Sequence, residues 1–397
     1  MSHKKSDVLH FMLGEETMNY KKRDMSIEII RIIACVLVVF AHIQIAINVE
    51  GVTRVDRLLF ATAISDNVPL FFMISGYFLF TKTDGDTVDI LAVYWQKLKS
   101  LLRNVLVPIT LLIIIIACIE GFIKNECSLS ECTFNIESIK TYLYNFYCKQ
   151  YAYDRAGHFW YICSYMRIFV WFPALAMLCK KDKNVTKARR LLILLSFIVM
   201  ILHDISNFTG ADYGSYETMI FDKNMIYVIL GYEMYHIFNY GSFSMIKLRK
   251  YGAILYGTGF FLRAGLQYIY YQVQGTDNGS PFFGMESFTC ILTAFGAFMF
   301  WHSFRGKVSS RVWGFIGKYT LYIYMFHAMV IDKLNDIMYW NIYGKMGGCS
   351  NIFTVIGFYL TYGSCIIAIS FVLGFIFERI YAGILYGLSK CIKIKQK

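Results

Sequence analysis

The stretch SIEIIRIIACVLVVFAHIQ, residues 26–44, decides how the rest of the chain is read. Ten residues, Ile32 to Ala41, separate Arg31 from His42, and all are apolar. Eleven helical steps of about 100° bring His42 back to within about 20° of Arg31, so a helix places both on one stripe about 16 Å apart. A run with no solvent face suits a helix in lipid, where the backbone must satisfy its own hydrogen bonds. Ionisable groups are costly there, which makes Arg31 and His42 candidates for function. Plainer readings stand beside that one: Arg31 reaching out to headgroups, and His42 hydrogen-bonding between helices.

Working outward, similar runs recur, and ten spans are expected: about 29–49, 66–81 (beginning earlier, near Leu58), 101–123, 158–179, 190–206, 221–238, 251–271, 286–304, 312–332 and 352–380. Composition agrees. Of 397 residues, 57% are hydrophobic and only 17% charged, against about 25% charged in ordinary soluble domains. That excludes a disordered chain and a string of soluble domains, and a membrane barrel would show short alternating strands instead. The expected fold class is therefore all-α, a polytopic membrane protein with about ten transmembrane helices. Its expected divisions are a polar tail (1–28), a transmembrane domain (29–380) and a basic tail (381–397).

The 39 Lys+Arg against 27 Asp+Glu give a net charge of +12. With the N-terminus inside, the ten spans place 26 basic residues in cytoplasmic segments and nine outside. That is the bias of cytoplasmic loops, and it puts both termini in the cytoplasm. The charge then needs no nucleic acid to explain it. The first run carries Arg31 and His42 and has no small-residue cleavage site, so it reads as a retained span rather than a signal peptide.

Other residues stand out less sharply. His327 lies near the outer end of the ninth span beside Tyr322 and Tyr324, and is read equally as an acceptor contact or as a packing hydrogen bond. Trp160 and Tyr161 suit an interfacial aromatic belt, with His158 beside them. Glu286 opens the eighth span, as an orienting carboxylate or as plain solvated rim. Arg263 needs a counter-ion, for which Glu233 is the expected partner. Ser75-Gly76-Tyr77 either permits close helix packing or lines a cavity. The external Cys127 and Cys132 are a possible disulfide, and no spacing points to a bound metal. No internal repeat is visible.

These residues also carry a resemblance. Arg31-x10-His42 is similar to the first-helix signature of the membrane acyltransferase-3 family. Asn67-Val-Pro-Leu-Phe-Phe-Met-Ile-Ser75-Gly76-Tyr77-Phe-Leu resembles its second-helix motif. His158-Phe-Trp160-Tyr-Ile resembles the start of its fourth helix, and Ile316-Gly-Lys-Tyr-Thr320-Leu-Tyr-Ile-Tyr-Met-Phe-His327 its late helix. The four motifs run in order from about Ser26 to Glu378. Two departures are visible. The family often has a pair of arginines entering the third helix, where this chain has Lys97, Lys99 and Arg103, and Thr320 replaces a serine.

The resemblance implies a multi-pass protein of the bacterial cytoplasmic (inner) membrane. Its activity would be transfer of an acyl group, most simply acetyl, from cytoplasmic acyl-CoA to a hydroxyl of a cell-surface or lipid-linked glycan. It implies acetyl-CoA as co-substrate and no permanently bound cofactor. Arg31, Lys99 and Arg103 would hold the CoA phosphates, while His42, with Arg31, would do the chemistry as general base or acyl carrier. His158, Trp160, Tyr77, Glu286 and His327 would contact the acceptor. Family members can carry a further extracytoplasmic domain, so a separate partner enzyme is expected for any second step. The reading from another class is a transporter or exporter that moves a polar or acylated substrate without chemistry.

Overall fold

The computed structural model describes residues 24–43, 47–49, 51–65, 67–82, 88–124, 136–149, 157–209, 224–275, 279–306, 311–335 and 351–394. Helix dominates. α1 (Met25–His42) is capped by the Asp24 carboxylate, which accepts from Ser26 N and Ser26 Oγ. It starts before the expected tail boundary at 28 and ends earlier than expected, because Ile43 is extended. A short antiparallel pair, Asn48–Val49 with Val52–Thr53, follows where the apolar run had suggested more helix.

α2 (Val55–Ile64) and α3 (Asn67–Leu79) come next. α4 (Ile90–Leu101), capped by Asp89, continues through a π turn over Leu102–Leu106 into α5 (Val107–Lys124). In that turn Val107 N–H reaches back five residues to Leu102 O. α6 (Ile136–Tyr144) precedes α7 (Trp160–Val170) and α8 (Phe172–Leu178), which meet at a 68° bend. Pro173, in the first turn of α8, is tolerated there because that turn has no backbone acceptor for its missing N–H.

α9 (Lys183–Thr209) starts at Asp182, which accepts from Asn184 N and Val185 N. Those donors, Val185 first, hold its carboxyl below the usual range. α10 (Met225–Tyr240), α11 (Met245–Gln274), α12 (Phe288–His302), α13 (Arg311–Leu334) and α14 (Ile352–Ile394) complete the described helices. α14 runs on through the expected tail boundary at 380, since no breaker interrupts it.

Six helical segments are long and apolar enough to cross a membrane, with a seventh if the bent α7–α8 pair is one span. α10, α11 and α13 are also helical where spans were expected but do not reach that length and apolarity; α10 has 16 residues. The architecture is all-α and multi-pass. Only 17% of α9's apolar window is buried, and Leu191, Leu194, Leu195 and Ile198 stand exposed along it. In a membrane those side chains face lipid, which is as apolar as they are.

The main core joins α1, α3, α5, α7, α10, α12 and α13 around Ile30, Phe72, Ile109, Ile162, Tyr227, Phe298 and Met325. A second core packs α1 on α13 and α14 through Val39, Phe40, Ile323, Tyr359 and Tyr362. α3 and α10 touch backbone to backbone. A Cβ on Gly76 would lie 1.9 Å from Val228 O, and one on Gly231 would lie 2.0 Å from Met73 O. Of the two readings of Ser75-Gly76-Tyr77, packing belongs to Gly76.

The expected Arg263–Glu233 pair is not formed. Glu233 instead takes the fully buried Arg189 at 2.9 Å and Arg190 at 2.8 Å, binding α9 to α10. Arg189 also donates to Leu178 O and Lys180 O, which ties down the turn after α8. Arg263 donates to the hydroxyls of Ser65, Thr289 and Thr293. Thr289 meets Ser287 at 2.7 Å, and Ser287 donates to Asp204 at 2.8 Å. Asp204 is thus a carboxylate linked to Arg263 through two hydroxyls. Sequence position gave depth in the bilayer but not the face each side chain presents.

Candidate functional site

α1 places Arg31 in the lining of a cavity of about 350 Å³. Glu28 holds the guanidinium at 2.7 Å, one turn back on the same helix. Gly317 makes that possible: a Cβ there would lie 2.1 Å from Glu28 Oε2. The glycine and Thr320 of the late motif therefore act together. Gly317 admits the carboxylate of α1, Thr320 donates to Gly317 O at 2.9 Å, and Thr320 lines the cavity.

The cavity runs between α1, α3, α4, α7 and α13. Lys97 and Ser100 line it from α4 and Asn104 from the π turn; Ser75, Tyr161, Tyr165 and Tyr324 line it from α3, α7 and α13. Lys97, Ser100, Leu101, Asn104 and Val105 are spaced as one helical face. That spacing was the signal that could have chosen Lys97 over Lys99. Lys99 is exposed on another face, and Arg103 is not in the lining. Lys97 Nζ donates to Phe78 O at 3.2 Å, which holds it at the cavity wall.

His42 lies on the last turn of α1, where it meets two further imidazoles. Its ring centroid is 4.9 Å from that of His327, edge to face, and His327 is 5.1 Å from His158. α13 supplies His327, and a short 3-10 turn before α7 supplies His158. Tyr324 connects this cluster to the cavity. Its ring lies 5.6 Å from His158, 5.7 Å from His327 and 5.8 Å from Tyr161, and its hydroxyl donates to His158 O. The structure thus brings His42, His158 and His327 together, with Arg31 in the lining of the adjoining cavity.

Each imidazole is oriented by a main-chain carbonyl. His42 Nδ1 donates to Val38 O at 2.9 Å, His327 Nδ1 to Tyr324 O at 2.7 Å and His158 Nε2 to Met325 O at 3.2 Å. A carbonyl can only accept, so these bonds leave lone pairs on His42 Nε2, His327 Nε2 and His158 Nδ1 when the rings are neutral. His42 is exposed at the protein surface, whereas His327 and His158 are 0% and 6% exposed.

A family model described as an acyltransferase domain matches residues 25–379. The chain belongs to the acyltransferase-3 family. Searches among curated proteins and among solved structures gave no significant match. The match to the acyltransferase-3 family runs from the first residue of α1 into α14, so it spans the cavity and all three histidines. Membership in the family makes the protein an acyltransferase.

Besides Lys99 and Arg103, three of the expected site residues of this acyltransferase-3 chain lie away from the cavity and the cluster. Tyr77 is buried, donating or accepting at 3.0 Å with His302 Nε2. His302 Nδ1 in turn meets Ser26 Oγ at 2.7 Å, and Arg305 binds Asp24 at 3.2 Å. That polar chain pins the start of α1 to α3 and α12, and the sequence reading missed His302 altogether. Glu286 lies half-buried before α12, with its carboxylate against Gly284. Trp160 is half-buried at the start of α7, while its neighbour Tyr161 faces the cavity. Cys127 and Cys132 fall outside the described residues.

Proposed function

We propose that the protein is a membrane O-acyltransferase that moves an acyl group, most simply acetyl, from cytoplasmic acyl-CoA to a hydroxyl of a lipid-linked or cell-surface glycan. One observation carries the reading: a cavity lined by the basic Arg31 and Lys97, one of whose other lining residues, Tyr324, also packs on a cluster containing a lone-pair imidazole. In this reading the chain crosses a bacterial cytoplasmic membrane ten times, with residues 29–380 as the transmembrane domain and both termini inside. The 26 basic residues on the cytoplasmic side against nine outside support that orientation.

The cavity is at the small end of ligand pockets, which run from about 300 to 1,000 Å³. It suits the arm of a thioester, with the nucleotide and its phosphates at the basic lining residues. Arg31 offers a forked donor to phosphate and Lys97 a point charge; Lys99 and Arg103 add positive potential farther out. His42 Nε2 takes the proton of the acceptor hydroxyl as its oxygen attacks the thioester carbonyl. The C–O bond forms, the C–S bond breaks, and the proton passes from the imidazolium to the departing thiolate. The products are an ester and free CoA thiol. Val38 O fixes the ring for this role, as the orienting group of a general base must.

The test uses purified protein in lipid nanodiscs with labelled acetyl-CoA and a lipid-linked glycan. His42→Ala and His42→Gln, shown to be folded by size exclusion, should lose about 10²–10⁴-fold in CoA release. Retained release sinks the assignment. Uptake of substrate into proteoliposomes without CoA release would favour a transporter.

A further inference from the structure

The two buried histidines carry more than packing. His327 Nε2 and His158 Nδ1 are buried and have no hydrogen-bond partner among the described residues. Their other nitrogens already donate to Tyr324 O and Met325 O. Nothing among the described residues therefore explains the two lone pairs, and a buried polar atom left without a partner is costly. Together with His42 Nε2 they make three acceptors in one cluster, since the His327 ring lies 4.9 and 5.1 Å from the other two. No described ion pair involves any of the three rings, and no described group of His, Cys, Asp or Glu is arranged to hold a metal ion.

What completes such a site is a molecule that brings hydrogens. A carboxylate or phosphate would set lone pair against lone pair; a hydroxyl donates. Rings about 5 Å apart are too close to serve two distant groups, but adjacent hydroxyls on one ring can reach both.

Resting on the acyltransferase reading above, we propose that His327 and His158 form a binding site for a second hydroxyl of the acceptor, so that the enzyme selects vicinal diols. One hydroxyl lies on His42 Nε2 and is acylated. Its neighbour donates to His327 Nε2 or His158 Nδ1 and fixes which oxygen reacts. Both histidines are binding and positioning residues here, and neither changes its covalent bonds.

The probes are cyclohexanol and the cis and trans isomers of cyclohexane-1,2-diol, offered with labelled acetyl-CoA to the full chain in nanodiscs. The expected result is that one diol isomer is acetylated more than about tenfold faster than cyclohexanol, well beyond the twofold that two equivalent hydroxyls give. His327→Ala should bring that ratio toward two. His327→Gln, which restores an acceptor oxygen, should recover part of it. Should His327→Ala fail to fold, His158→Ala supplies the same comparison. A wild-type protein that acetylates all three alcohols without preference overturns the diol site and leaves the acyltransferase reading standing. Acetylation of none of them, with CoA still released to a glycan lipid, also overturns it. No CoA release to any acceptor overturns both.

Discussion

His327 stands edge-on to His42 with ring centroids 4.9 Å apart, although 285 positions separate them in the chain. α1 and α13 pack along their length to bring this about, with Gly317 admitting Glu28 at one end and the two imidazoles meeting at the other. The same helix pair thus fixes Arg31 and His42 with respect to the cavity.

The basic lining can be dissected by charge removal. Arg31→Ala and Lys97→Ala should each raise KM for acyl-CoA by about ten- to a hundredfold, the loss of one charge-assisted contact of about 1.5–3 kcal/mol. Lys99→Ala, on an exposed face, should change it by less than about threefold, as surface charges contribute about 0–1 kcal/mol. Steady-state kinetics at two salt concentrations would show this; an effect of Lys99→Ala equal to that of Lys97→Ala would count against the cavity as the donor site.

Gly76→Ala tests the backbone contact of α3 with α10. The new methyl meets Val228 O at 1.9 Å, which only helix separation can relieve. Overpacking costs about 1–3 kcal/mol or more, so the variant should express poorly or melt well below the wild type in a thermal size-exclusion assay. Gly257→Ala, where a Cβ meets nothing within 4 Å, is the control and should behave as wild type.

Glu233→Gln leaves Arg189 buried without its counter-charge. Breaking one side of such a pair costs about 3–5 kcal/mol, whereas replacing both by apolar residues is often neutral. The single variant should therefore be strongly destabilised, and Glu233→Leu combined with Arg189→Leu should recover much of the loss. A single variant that melts with the wild type would show the pair to be dispensable.

Tyr77 and His302 should act on stability rather than on substrate. Tyr77→Phe removes one buried hydrogen bond and strands His302 Nε2, a loss of about 1–3 kcal/mol. Its melting temperature should fall while KM for both substrates stays within about twofold of wild type. A raised acceptor KM at unchanged stability would instead return Tyr77 to the binding site.

Much of the site was legible because Arg31 and His42 interrupt an otherwise apolar helix, and because spacing alone puts them on one stripe. His158 and His327 were also visible as lone imidazoles in apolar surroundings. Their meeting was not, since it depends on packing between helices far apart in sequence. Lys97 and Lys99 differ by two positions, and the choice between them needed the face of α4 that the cavity selects. Glu233 was the expected partner of Arg263, yet Arg189 and Arg190 claim the carboxylate from α9, and Arg263 donates to three hydroxyls. His302 was overlooked because a histidine at a helix end reads as part of the interface until Ser26 and Tyr77 are seen on its two nitrogens.

The π turn over Leu102–Leu106 sets the register of everything after it in that helix. A π turn holds one residue more than the α-helical path it replaces. Closing those residues into plain α-helix with none removed would keep the length, charge and apolarity of the segment unchanged, yet turn α5 by about 100° relative to α4. Lys97 would still face the cavity while Ile109, Leu112 and Ile113 rotated out of the core. In this stretch a single extra residue works as an angular offset between the face that meets the ligand and the face that meets the protein.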